Sequence, residues 1–167
     1  QADEVDELLA RTVDAFGGLD RAVNCAAIAS EPAATADCDE SNWDRTIAVN
    51  LKGTWLCLRA EIKQMLAADG GSIVNTASVA GVVGVAGFPA YCASKGGVVQ
   101  LTRTAALEYA PAGIRVNAVC PRATRTAMLT ALVDKHPELA AGLAALHPLG
   151  RIAEPAEIAE AAVWLCS

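Results

Sequence analysis

The residues of this chain best suited to chemistry are Ser78, Tyr91 and Lys95, in the runs Ser78-Val-Ala-Gly-Val-Val-Gly and Pro89-Ala-Tyr91-Cys-Ala-Ser-Lys95. A Tyr and a Lys four apart on a helix share one face, one turn from each other. An ammonium held beside a phenol favours the phenolate, so the pKa of Tyr91 is expected to fall towards working pH. A hydroxyl such as that of Ser78 can hold a substrate oxygen while Tyr91 gives or takes its proton. That arrangement moves a proton on or off an alcohol. The plainer alternative for the pair is a surface tyrosine beside a solvated lysine.

The setting favours chemistry. Gly71-Ser-Ile-Val-Asn-Thr-Ala reads as a short buried strand, Ser78 sits where it ends, and a Gly-rich loop leads to the helix carrying Tyr91. Ligands of open parallel sheets bind beyond the carboxyl ends of the strands, so Ser78 stands where chemistry is expected.

The elements that must position these residues follow from periodicity. Val5, Leu8, Leu9, Thr12, Val13 and Phe16 form one stripe, which predicts a helix over 3–16 that Gly17-Gly18 stops. A strand is expected from Leu19 to Ala27. From Ser41, the expected N-cap, a long helix over 41–68 carries Trp43, Ile47, Leu51, Trp55, Leu58, Ile62 and Met65 at helical spacing. After the strand at 72–76, the helix of Tyr91 runs to about Tyr109, and Ile114 to Val119 forms a third strand. Two short helices are expected near 126–134 and 137–145, and a last one from Pro155, a residue suited to a first turn. Strands alternating with long helices mean α/β architecture, a parallel sheet with helices on both faces, in one domain over 1–167.

Composition narrows the function classes. With 53% hydrophobic and 19% charged residues the chain holds enough apolar material for one core. A net charge of -6 argues against nucleic acid or an anionic membrane as partner. No apolar run approaches the length of a membrane span, and the acidic N-terminus lacks a signal-peptide pattern. It also lacks an initiator methionine, which suggests that something precedes it. Cysteines 25, 38, 57, 92, 120 and 166 are scattered, with no Cys-x-x-Cys and no histidine at ligand spacing, so no metal site is expected. They read as reduced core residues of a cytoplasmic protein. His136 and His147 each precede a proline, and neither makes a convincing base.

With those elements placed, the sequence resembles a short-chain dehydrogenase/reductase from about Val5 to Ser167. Asn24-Cys-Ala26-Ala27 resembles the family's Asn-Asn-Ala-Gly strand end, and Asn42-Trp43 through Val49-Asn50-Leu51-Lys-Gly its central helix with an active-site asparagine. Ser78, then Tyr91-x-x-x-Lys95, complete the tetrad. Gly113-Ile-Arg-Val-Asn-Ala-Val-Cys-Pro121 resembles the strand feeding the nicotinamide side, and Pro148-Leu-Gly-Arg151 with Glu154-Pro155 the stretch before the final helix.

The resemblance implies a doubly wound, Rossmann-like sheet and hydride transfer between NAD or NADP and a small carbonyl/alcohol pair. Tyr91 would be the general acid/base, Lys95 would stabilise its phenolate and hold the nicotinamide ribose, and Ser78 would polarise the substrate oxygen. Asn50 would hold a water through its backbone, linking Lys95 to a proton relay; the alternative is a polar residue that caps or kinks its helix. Asn24, Ala26, Pro121 and Thr126 would contact the cofactor, Thr126 at its carboxamide, unless Thr126 is simply an N-cap. Helices 41–68 and 91–109 resemble those of the family's dimer bundle, which implies a homodimer or homotetramer.

Three positions depart from the family pattern. Cys25 and Ala27 replace its second Asn and its Gly, and Arg122 replaces the glycine after Pro121, a source of strain if that position needs positive φ. The family's Gly-rich phosphate turn does not occur in these residues, nor does its last strand, so the resemblance is to the middle and later part of the domain, incomplete at both ends. A non-catalytic homologue that acts by protein association is the second reading. Retention of all four tetrad residues favours the enzyme. The loop with Thr124, Met128, Leu129 and Leu132 is apolar enough to cover an alicyclic, steroid-like or acyl substrate.

Overall fold

A computed structural model describes residues 1–140 and 142–167. Three parallel strands, β1 (Arg21–Asn24), β2 (Gly71–Thr76) and β3 (Ile114–Val119), form a sheet in that order. Helix α1 (Ala2–Phe16) precedes β1; α2 (Glu40–Ile47) and α3 (Thr54–Leu66) connect β1 to β2, and α4 (Pro89–Tyr109) connects β2 to β3. The chain continues through α5 (Ala127–Lys135) to α6 (Pro155–Cys166). In register Val23 lies beside Val74, and Val74 beside Asn117, so the carboxyl ends of all three strands reach one edge together.

Helices cover both faces, as the α/β alternation requires. On one side Met65, Ile73 and Ile114 are at most 1% exposed and pack with Leu58, Ile62, Ala105 and Val116. On the other Val74 packs with Ala162 and Cys166 of α6. A fully buried Ile or Met contributes about 1.5–3 kcal/mol, so this double-sided burial anchors the strand that ends at the site.

Four boundaries differ from the pattern, each for a local reason. Strand β1 runs only over Arg21–Asn24 rather than Leu19–Ala27, and beyond it the Ile28 amide and carbonyl pair with the Asn50 side chain instead of a ladder. The long helix is interrupted by a π-helical stretch, Ala48–Gly53, that contains Asn50; such single-turn insertions recur at functional sites. Its N-cap is Asp39, to which Ser41 donates a hydrogen bond of 2.6 Å. Over 137–145 there is only a 3-10 turn, Pro137–Leu139, then turns in which Gly142 adopts φ +85°, a conformation that ends a helix; Ala141 lies outside the described residues.

Candidate active site

Tyr91 and Ser78 are placed by element ends, Lys95 one turn further along α4, and Asn50 by the π-helical stretch. Pro89 starts α4 at its first turn, which sets Tyr91 and, one turn on, Lys95 over the carboxyl edge of the sheet. Ser78 follows β2 and begins a 3-10 turn, Val79–Gly81, where its hydroxyl accepts from the Ala80 amide at 3.2 Å and donates to the Pro121 carbonyl at 3.5 Å. The Val79 amide also donates to Pro121, at 2.9 Å, so the loops after β2 and β3 are tied together. At Gly81 the loop packs backbone against backbone on α4. A Cβ there would stand 2.5 Å from the Lys95 carbonyl oxygen.

Lys95 is 2% exposed, and its ammonium donates to the Thr76 carbonyl at 2.7 Å. Burial lowers its pKa to about 8, with smaller opposing effects from Cys25 and Cys120. At pH 7 the ammonium still outnumbers the amine about tenfold. Tyr91 does not follow the expectation of a lowered pKa. Burial pushes the phenol up, and the nearby Ser78 hydroxyl only opposes the rise. The geometry explains the correction: the Lys95 Nζ is held at Thr76, 5.9 Å from the centre of the Tyr91 ring, so desolvation outweighs the charge.

Asn50 is fully buried and works chiefly as a tether. Its Oδ1 accepts from the Ile28 amide at 2.8 Å, and its Nδ2 donates to the Ile28 carbonyl at 3.0 Å and to Ser94 Oγ at 3.2 Å. Ser94 in turn donates to the Tyr91 carbonyl at 2.8 Å. Asn50 thus joins the loop after β1 to the first turns of α4, where Tyr91 and Lys95 lie. Its side chain is committed, which leaves the backbone carbonyl, shared with the Thr54 hydroxyl at 2.8 Å, for any contact towards Lys95. Ser94 and the Thr76 carbonyl had escaped the sequence reading. Ser94 carries a faint signal as a hydroxyl beside Lys95, whereas a backbone acceptor carries none.

The Asn24 side chain turns towards α3 and β2, donating to Glu61 and Asn75 at 2.9 Å each, so it would meet a ligand through its backbone. Cys25 and Ala26 beyond it are exposed, and Pro121 is half-buried. Thr126 caps α5, its hydroxyl accepting from the Leu129 amide at 3.3 Å. Among the described residues none but glycine has positive φ, so Arg122 is not strained. Lys95 spends one donor on Thr76 and retains further N–H groups at this edge, a donor set that fits ribose hydroxyls. The loop after β3 lies across the edge, held by Arg125 to Glu154 at 2.8 Å and by Lys135 to Glu31 at 2.7 Å. Among the described residues no cluster of side chains fits a metal ion, and no helix is long and apolar enough to cross a membrane.

The family described as Enoyl-(Acyl carrier protein) reductase matches residues 1–167. The chain is 46% identical over 168 residues to 2,5-dichloro-2,5-cyclohexadiene-1,4-diol dehydrogenase of Sphingobium indicum, covering 100% of this chain and 67% of that protein. It is 42% identical to cis-4-hydroxycyclohexanecarboxylate dehydrogenase of Sinomonas cyclohexanicum, covering 99% and 65%. Among solved structures, ElxO with NADP bound superposes with a TM-score of 0.92 at 28% identity, covering 100% of this chain and 67% of that one. The chain therefore spans about two thirds of the length of the relatives it matches.

Proposed function

This chain belongs to the short-chain dehydrogenase/reductase family, and on that footing we propose that it serves an NAD(P)-dependent oxidoreductase interconverting a secondary alcohol and a ketone. One observation supports the reading: Ser78 follows β2 at the carboxyl edge of the sheet, and Lys95, buried one turn behind Tyr91, is anchored on Thr76 at the same edge, with Asn50 tied to that turn through Ser94.

When bound, the nicotinamide supplies or accepts the hydride. Tyr91 handles the proton. Burial keeps its phenol protonated at neutral pH, which suits donation to a carbonyl oxygen. Taking the proton from an alcohol needs the phenolate, so oxidation gains as pH rises. Ser78, whose hydroxyl is held at the end of β2 by the Ala80 amide and the Pro121 carbonyl, would bind the substrate oxygen. Lys95 keeps a positive charge under Tyr91 and offers its remaining N–H groups to the nicotinamide ribose. The backbone beyond Asn24, with Ala26, Pro121 and Thr126, would hold the nicotinamide half of the cofactor. Neither residue type nor charge here selects between NAD and NADP.

Two relatives are named for ring alcohols. Both support an alicyclic secondary alcohol as the substrate class. Exposed Trp43, Val49, Trp55 and Leu107 support self-association through helices 41–68 and 91–109, as a homodimer or homotetramer. The test is a panel of cyclohexanols and linear alcohols, each offered with NAD and with NADP. Turnover of the ring alcohols with one nucleotide is expected. Nucleotide binding without turnover of any alcohol or ketone would refute the reading.

A further inference from the structure

Glu61 on α3 has no part in the chemistry above, yet the residue is only 5% exposed. Its Oε2 accepts from Asn24 Nδ2 at 2.9 Å, and the same nitrogen donates to Asn75 Oδ1 at 2.9 Å. Asn75, fully buried, passes its own N–H to Thr102 Oγ1 at 2.9 Å, and the Thr102 hydroxyl ends the chain on the Val98 carbonyl at 2.7 Å. All these donors run outward from Asn24, so the amide orientations are mutually consistent and Glu61 is needed as a pure acceptor. Four elements are joined this way: α3, β1, β2 and α4. The link lies just behind the chemistry. Asn24 and Asn75 are register partners, Cys25-Ala26 follows the first, and Thr76, the anchor of Lys95, follows the second. Burial pushes the Glu61 carboxyl pKa up and the Asn24 donation pulls against it, as expected of a carboxyl held for that contact.

We propose that Glu61 is a positioning residue which, acting through Asn24, fixes the carboxyl end of β1 relative to Lys95 and so shapes the place where the nicotinamide half of the cofactor binds. The proposal rests on the cofactor reading above for its functional part only. Glu61→Gln keeps an acceptor oxygen, whereas Glu61→Met keeps the length and loses the acceptor.

The test compares both variants with the wild-type protein by amide hydrogen exchange over 24–29, by fluorescence titration with NADH and NADPH, and by kcat and KM. In Glu61→Met, exchange over 24–29 is expected to quicken and cofactor affinity to weaken about tenfold, the scale of one hydrogen bond to a charged group. Cofactor KM rises with it while kcat stays within about threefold, and Glu61→Gln restores all of these. Unchanged exchange in Glu61→Met overturns the proposal, as does Glu61→Gln failing as badly as Glu61→Met. Thr102→Val cuts the chain at its far end. It is expected to quicken the same amides, so a Glu61→Met protein that does not fold leaves the proposal exposed to refutation. If the wild type binds neither nucleotide, the cofactor reading fails, and the exchange data still decide whether Glu61 places β1.

Discussion

Replacing Gly81 by alanine adds one methyl group at a point where the loop of Ser78 lies directly on α4. The new Cβ would stand 2.5 Å from the Lys95 carbonyl oxygen, 2.7 Å from its carbon and 3.0 Å from the Gly96 nitrogen. All three are backbone atoms inside a helix, so none can swing aside. Ordinary contact begins at 3.4 Å, so the loop must withdraw by about 0.9 Å. Ser78 begins this turn and Tyr91 lies on the helix, so the two separate by a similar amount. A misplacement on the order of 1 Å can cost about 100-fold in rate, and overpacking costs about 1–3 kcal/mol of stability. We expect Gly81→Ala to fold, with a lowered melting temperature, and to lose about 30–100-fold in kcat/KM, read from nicotinamide absorbance. Gly84→Ala is the control, because a Cβ there meets nothing within 4 Å. Full activity in Gly81→Ala, or an equal loss in Gly84→Ala, would refute the claim that the loop's seat on Lys95 sets the Ser78–Tyr91 distance.

The burial of Lys95 makes stability depend on pH. Its pKa is about 8 in the folded protein against 10.5 in a free side chain, so between these values the unfolded state binds more protons. Native stability therefore gains up to about 3 kcal/mol as pH rises through that window, and subtracting the Lys95→Met profile in urea melts isolates the effect. A flat difference would contradict it. Asn50→Ala orphans the Ile28 amide and carbonyl and should cost about 2–4 kcal/mol in chemical denaturation; a loss under about 1 kcal/mol would mean that Asn50 is no tether. Thr126→Ala removes the α5 cap, and we expect about 1 kcal/mol of lost stability that Thr126→Ser recovers.

The elements that bear the site were legible because their signals are local. Pro89, the apolar stripe of the long helix and the short run Gly71–Thr76 each act within a few residues. Tyr91 and Lys95 were legible for the same reason, being one turn apart on a single helix. What stayed hidden depends on partners distant in the chain. Beyond β1, Ile28 finds its partner in Asn50, 22 residues on, and the tie from Asn50 to Ser94 spans 44. The raised pKa of Tyr91 could not be read from spacing, because burial and the pull of the Thr76 carbonyl on Lys95 exist only in the fold. Glu61 looks in sequence like one more charge on a helix. Only the fold brings Asn24 to it across 37 residues.

The most direct measurement is alcohol oxidation by wild type and Tyr91→Phe, with cofactor binding monitored in parallel. The account predicts that wild type reduces the nicotinamide, and that Tyr91→Phe binds it equally well but turns over about 100- to 10,000-fold more slowly, the range of a general acid/base. A Tyr91→Phe protein that keeps the wild-type rate would contradict the account at its centre.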